Sequence, residues 1–275
     1  MGNYLNAYEL LSEVRKGINE YSAAYVQGTD TTGAFDNADI MKKINDAQGY
    51  IYNGIINQGP DVFFKTTTLT GVNSVYTLPA DFYRMRRVEN SDGVPLRLIT
   101  MDIKRMTADT GTGWWYWYMG NTFILDKLNA TDVLTIFYSS RCRSLDAGSA
   151  QAGGALSITL ATTAKKRASY YNGMQIENFT KDWTDTISAY ATTRVATIAA
   201  QTAAAADYYG LVSELPEDFH ELIGPKAILL MKETHKALKP PTATEQKNFL
   251  DNMAQRFNSF FGTFNSDQDI AELFF

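Results

Sequence analysis

The chain has 275 residues, 45% of them hydrophobic, enough to bury one large core or two unequal ones. Its 25 basic and 30 acidic residues leave a net charge of −5, which speaks against a free-standing nucleic-acid binder. The single cysteine, Cys142, excludes an intramolecular disulfide, and the two histidines, His220 and His235, lack an HExxH pattern or a companion cysteine pair that would make a zinc site.

In chain order, Tyr4 to Tyr21 carries helical spacing, with Leu5, Tyr8, Leu11, Arg15 and Ile18 flanked by Leu10 and Val14. A run rich in Gly and Thr from Val26 to Ala34 reads as a loop. Asp36 or Asn37 offers a side-chain acceptor for the first free N–H groups of a second helix. Ile40, Ile44, Ala47, Ile51 and Ile55 trace its apolar stripe, and Gly59-Pro60 ends it. The start of the chain lacks a charged region followed by an apolar run, so no signal peptide is expected, and no hydrophobic run is long enough to cross a bilayer.

From Val62 the period changes to two. Phe63 to Thr70 reads as a strand, Gly71 to Ser74 as a turn, and Val75-Tyr76-Thr77 as a second strand. Leu78-Pro79-Ala80-Asp81-Phe82 follows: Pro79 has no N–H and a fixed φ, so it ends the ladder and opens a turn. The strand after it carries Phe82, Arg84 and Arg86 on one side and Tyr83, Met85 and Arg87 on the other. Asp92-Gly93 signals a hairpin between Val88 and the run from Leu96 to Ile99. Met101 to Ala108 reads as a short helix. Trp114-Trp115-Tyr116-Trp117-Tyr118 is the densest aromatic cluster, and Gly120-Asn121 turns it into Thr122 to Leu125. Asp132 to Tyr138 closes an antiparallel sheet.

Ser144 to Gly154 has the Ala, Gly and Ser content of a linker. A smaller β module follows, built from runs at 156–160, 172–176, 186–190 and 194–198, with a hairpin loop at Tyr190 to Arg194. Gln201 to Asp207 reads as a linker or a brief helix. A second Leu-Pro-x-Asp-Phe turn, Leu215 to Phe219, leads into a helix with Phe219, Ile223, Ala227, Leu230, Thr234 and Leu238 on one face, kinked or restarted at Gly224-Pro225 and ended by Pro240-Pro241. Thr242-Ala243-Thr244-Glu245 is a capping box. Leu250, Met253, Phe257, Phe260 and Phe264 form the stripe of the last helix. Ser266 to Phe275 is acidic and ends in Leu273-Phe274-Phe275.

The fold class read from this order is α+β. Terminal helices (1–61 and 211–264) pack as an antiparallel bundle. An antiparallel β region (62–143) and a second small β module (144–210) are inserted between them, and 265–275 forms an extended tail. No catalytic constellation stands out: Gly-x-Ser-x-Gly and the phosphate-cradling Gly-x-x-x-x-Gly-Lys are absent. Glu177 and Asp182 are carboxylates of the kind a glycosidase needs, but thirty acidic residues supply such candidates by chance. Flanking Arg141 and Arg143 would activate Cys142 only if its thiol were accessible, and a structural thiol is the simpler reading. No enzyme activity, cofactor or metal is expected. The tryptophan cluster reads as hairpin core or subunit contact before a sugar platform. Arg84, Arg86 and Arg87 read as partners for acidic groups across an interface.

The chain resembles the head-to-tail adaptors of tailed bacteriophages, the connector rings bound to the portal in short-tailed phages. The resemblance rests on Ala47-Gln48-Gly49-Tyr50-Ile51-Tyr52 leading to a Thr-rich strand at Lys65 to Thr70, and on Val75 to Phe82 running into Arg84-Met85-Arg86-Arg87-Val88. It rests further on Ser213 to Phe219 preceding a long helix, and on the small β domain at Tyr170 to Ile198. The resemblance implies a structural virion protein at the head–tail interface, made in the host cytoplasm. It implies a homo-oligomeric ring, usually a dodecamer, that joins the portal protein to a tail nozzle or tube, continues the DNA channel with transient DNA contact, and touches no membrane. It also implies portal docking by the C-terminal segment, through Ile270, Leu273, Phe274 and Phe275. Arg84, Arg86, Arg87, Trp115 and Trp117 are the expected subunit or tail contacts. The rival reading is a carbohydrate-binding or peptidoglycan-degrading tail component.

Overall fold

In the computed structural model, residues 5–18, 35–59, 61–72, 74–98, 115–119, 122–126 and 133–262 are described. Helices and mostly antiparallel sheets make the class α+β. The chain divides into two units, residues 60–141 in one and 1–59 with 142–275 in the other.

The first unit is all β: β1 (Phe64–Thr70), β2 (Val75–Thr77), β3 (Phe82–Glu89), β4 (Arg97–Leu98), β5 (Trp115–Met119), β6 (Thr122–Asp126) and β7 (Val133–Ser140). One sheet has the order β1-β7-β3 and the other β2-β6-β5-β4. Tyr76, Leu78, Val88, Leu96, Tyr116, Phe123, Leu125, Leu134, Ile136 and Tyr138 form its core, drawn from both sheets. Each such side chain contributes about 1.5–3 kcal/mol by leaving water. Tyr76 stacks on Phe123 at 5.2 Å, and a Cβ on Gly71 would strike the Tyr76 ring, so the turn before β2 closes over that ring.

The Asp92-Gly93 signal gives a turn but not a long hairpin. Asn90 accepts on its side chain from the N–H groups of Asp92 (3.0 Å) and Val94 (2.8 Å), and Leu96 N donates to Val88 O at 2.8 Å. Pro95, opposite Glu89, has no N–H to continue the ladder. The chain then leaves for the other sheet, where β4 runs parallel to β5. The expected helix at Met101 to Ala108 lies outside the described residues.

The second unit holds α1 (Ala7–Gly17), α2 (Asn37–Gln58), α3 (Ile223–Thr234) and α4 (Ala243–Phe261), together with β8 (Ala147–Ser149), β9 (Ala152–Thr159), β10 (Gln175–Asn178), β11 (Trp183–Thr186), β12 (Ala189–Tyr190), β13 (Val195–Thr202) and β14 (Tyr208–Leu211). Its sheets have the orders β11-β10-β14-β8 and β12-β13-β9. The α1, α2 and α3 helices pack on one another, and α4 packs on α3 and on the 3-10 turn before it. Asp36 caps α2 by accepting from Asp39 N at 2.7 Å, and the stripe from Ile40 to Ile55 is fully buried. Thr242 and Glu245 form the expected capping box on α4. Two stripes shift phase. In α3 the buried face is Ile223, Ala227 and Met231, and the helix ends at Thr234 rather than running on to Leu238. In α4 Phe249 is buried and Leu250 is exposed.

The two Leu-Pro-x-Asp-Phe motifs make the same turn, in which Pro O accepts from the Phe N–H three residues on: Phe82 N to Pro79 O at 3.1 Å and Phe219 N to Pro216 O at 3.0 Å. The first continues as a strand. The second tightens into a 3-10 helix, Glu217–Leu222, which passes into α3 with Pro225 in its first turn.

The expected linker at 144–154 is instead strand, β8 and the start of β9; the second expected linker, Gln201 to Asp207, loses its first two residues to β13 and is followed directly by β14, a strand the sequence did not announce. These short strands are held from outside. The segment before β8 is tied to α2, with Leu145 N donating to Asn45 Oδ1 (2.6 Å) and Gln48 Nε2 to Arg143 O (2.9 Å). Gln48 also accepts from Ser213 Oγ at 2.7 Å. Arg143 and Glu214 pair through two contacts, and the Tyr209 hydroxyl on β14 donates to buried Asp146. Burial pushes the Asp146 carboxyl up to about 6 against the lowering effect of the Tyr209 and Thr163 hydrogen bonds.

Candidate protein-docking face

The candidate site is the outer face of the β1-β7-β3 sheet. Register fixes which side chains share it. Phe64, Thr66, Thr68 and Thr70 on β1 stand opposite Ser139, Phe137, Thr135 and Val133 on β7. Their neighbours of opposite phase, such as Leu134, Ile136 and Tyr138, are the ones that enter the core.

Strand β3 does not alternate as the sequence predicts. The register slips between Phe82 and Arg84 and again between Met85 and Arg87, so Tyr83 and Arg86 are the extra residues of two bulges. The inward positions become Phe82, Met85 and Val88, a spacing of three. Tyr83, Arg84, Arg86 and Arg87 are all exposed. The expectation that the arginines divide between two faces is therefore corrected. Arg84 pairs with Ser139 and Arg87 with Phe137 in the ladder, while Arg86 Nε donates to Ser139 Oγ at 2.9 Å. A strand of strict period two would have buried one or two of these cations, and the bulges remove that cost.

The face thus has an apolar strip between a threonine row and an arginine row. Phe64, 47% exposed, stacks on Phe137 with ring centroids 6.1 Å apart, and Val133 is 43% exposed. The Arg87 guanidinium lies 5.9 Å from the Phe137 centroid and forms an ion pair with Glu89. Arg84 has no ion pair among the described residues. On the inner side of the same sheet, buried Asp81 accepts from Tyr138 OH at 3.0 Å and pairs with Lys65 at 2.7 Å, which fixes the turn from which β3 starts. Three guanidinium groups beside exposed aromatic rings suit an acidic protein surface that also carries apolar groups.

Trp115 and Trp117 lie in the other sheet of this unit, paired along the backbone with Asp126 and Ile124; their side chains are outside the described residues. The structure does not bring them into one sheet with the arginines. Tyr116, between them, is buried in the core. Ile270, Leu273, Phe274 and Phe275 fall outside the described residues. Sequence reasoning missed Phe64, Phe137 and Val133. The available signal was Phe64 standing in phase with the threonines of its strand.

The remaining chemical candidates have structural surroundings. His220 is buried, with Nε2 2.8 Å from Leu215 O, and burial lowers its pKa. His235 packs edge-on against Phe35 at the end of α3. Cys142 is half-buried. Glu177 accepts from Asn6 Nδ2 at 2.8 Å, which ties β10 to the start of α1. No group of three or more potential metal ligands occurs among the described residues, and no described helix is long and apolar enough to cross a membrane.

An exposed sheet face that combines apolar and cationic groups is what a structural assembly protein would present to a partner. Comparison with protein-family models narrows that class to the adaptors of bacteriophages, with the match covering residues 5–161, more than half of the chain. The matching model is that of the SU10 adaptor protein, and the chain belongs to this family. No curated protein matches the chain.

Proposed function

We propose that this protein is the head-to-tail adaptor of a short-tailed bacteriophage, a ring of copies that joins the portal to the tail and continues the DNA channel. The observation that carries the reading is the family match across α1, α2, the whole β1–β7 unit and the first strands of the second module. In this reading the helices form an antiparallel bundle against the portal. The acidic segment at 265–275 docks there through Ile270, Leu273, Phe274 and Phe275. Its two-part character, acidic stem and aromatic end, suits binding coupled to ordering. Arg84, Arg86 and Arg87, with Trp115 and Trp117, serve contacts to neighbouring subunits or the tail. A dodecamer matches the usual ring of such adaptors. The net charge of −5 favours passage of DNA over retention, because acidic walls do not hold phosphate. The protein acts in the virion, after assembly in the host cytoplasm, without cofactor or catalysis.

The test is a phage lacking the protein. The reading expects heads that package DNA, carry no tail and lose their genome, with rescue by the supplied chain. Tailed particles that retain DNA and fail only in adsorption or wall penetration would instead favour the carbohydrate-directed tail component.

A further inference from the structure

The β1-β7-β3 face has a chemical counterpart on the other unit of the chain. At the start of α1, Tyr8 stacks on Phe179 with centroids 4.4 Å apart and lies 5.8 Å from the Tyr208 ring; all three are half-buried. Glu9 and Glu177 stand at the same helix start, bonded to Asn6, and Asp182 is close enough to Glu177 for its charge to be felt there. Asn6 Nδ2 donates to both Glu9 Oε2 (2.9 Å) and Glu177 Oε2 (2.8 Å), which holds the two carboxylates side by side. The Glu177 carboxyl is held above its ordinary value, first by burial and then by the charges of Glu9 and Asp182. Lys181, the nearest cation in sequence, is committed to Asp207 at 3.5 Å. One surface therefore has rings edged by an excess of negative charge, and the other has rings edged by an excess of positive charge.

We propose that the β1-β7-β3 face of one copy receives the Tyr8–Phe179–Tyr208 surface of a second copy, with Arg84, Arg86 and Arg87 meeting Glu9, Glu177 and Asp182. This deepens the ring reading and rests on it. A contact between two different patches of the same chain is heterologous, and where its rotation closes it builds a ring rather than a two-fold dimer, as the adaptor reading requires. The exposed Phe64 and Val133, with half-buried Phe137 between the strands' polar rows, disfavour DNA as the occupant, since a phosphate backbone gives an apolar strip nothing to bury against. The net charge of −5 also makes another copy of the chain a suitable counterpart for a cationic face.

The experiment uses the full chain assembled into particles, with a photo-crosslinking residue at Thr68 on the face and a mixture of isotopically light and heavy copies. Crosslinked heavy–light pairs joining the Thr68 peptide to peptides spanning 5–9 or 175–183 are expected. The charge-reversed variant R84E/R87E should lower that yield about tenfold or more. The variant E9Q/D182K, which keeps a capping side chain at position 9, should lower it as well, and the two sets combined in one chain should recover most of it. Thermal unfolding of each variant serves as the folding control. Crosslinks from Thr68 to a different virion protein, crosslinks to other parts of a second copy, or a yield indifferent to charge reversal would each overturn the proposal. Incorporation of the chain into particles, read from the same samples, tests the adaptor reading separately, so the two can fail independently.

Discussion

Arg143 and Glu214, 71 residues apart, form a two-pronged ion pair, Nε to Oε2 at 2.9 Å and Nη2 to Oε1 at 2.6 Å, and Glu214 also accepts from Arg143 N at 3.0 Å. The Arg143 side chain is only 4% exposed, and its remaining donor bonds the carbonyls of Tyr170 and Asn172. The pair joins three separate stretches: the entry to β8, the loop before β10 and the approach to the 3-10 turn. Removing one partner strands a buried charge. Glu214→Ala is expected to cost about 3–5 kcal/mol, measured by urea unfolding, whereas replacing both residues with apolar ones of similar size should cost much less. Equal losses in the single and double variants would contradict this account.

Asn6 is buried and completes a capping box on α1, accepting from Tyr8 N and Glu9 N at 3.0 Å each. Gly210 on β14 lies so close that a Cβ there would sit 2.7 Å from Tyr8 N and 2.9 Å from Asn6 Oδ1. Gly210→Ala should therefore cost about 1–3 kcal/mol through overpacking. Asn6→Asp is usually a neutral exchange at an N-cap. Here it sets a third carboxylate against Glu9 and Glu177, so it should destabilise at pH 7 and recover as the pH falls toward 4. Thermal melts across that range provide the check.

Asp146 gives a second pH signature. Its folded value of about 6 lies above the ordinary 3.8, so the folded state holds this proton more tightly than the unfolded chain does. Its contribution to stability is greatest below about pH 4, falls as the pH rises to about 6, and is flat above. Asp146→Asn keeps an acceptor for Tyr209 and removes the titration. Relative to wild type the variant should gain about 2–3 kcal/mol between pH 4 and pH 7. A stability difference independent of pH would contradict the assignment.

The bulged phase of β3 makes a contrast between adjacent residues. Met85 packs against the core and Arg84 does not. Met85→Ala should cost about 2 kcal/mol or more, while Arg84→Ala should change stability by less than about 0.5 kcal/mol. Tryptophan fluorescence during denaturation is a suitable readout. Equal effects would restore the simple alternation.

What the sequence made legible was local. Asp36, the stripe from Ile40 to Ile55, and Thr242 with Glu245 announce helices through contacts within four residues, and those helices form as expected. The arginines were visible as interface candidates, but their common face was not. It depends on two register slips set by β7, and nothing within β3 records them. The short strands β8 and β14 were hidden for a related reason. Ala147-Gly148-Ser149 has little strand propensity of its own, and Tyr208 to Leu211 is buried on three of its four positions, so neither alternates. Their conformation comes from Asn45, Gln48, Asp146 and Tyr209, residues far apart in the chain.

Imaging the portal vertex of intact particles by electron cryomicroscopy tests the central claim most directly. The account predicts a closed ring of this chain lying between portal and tail, coaxial with the DNA path. Density for the chain at fibre tips or elsewhere on the tail, with portal and tail in direct contact, would contradict it.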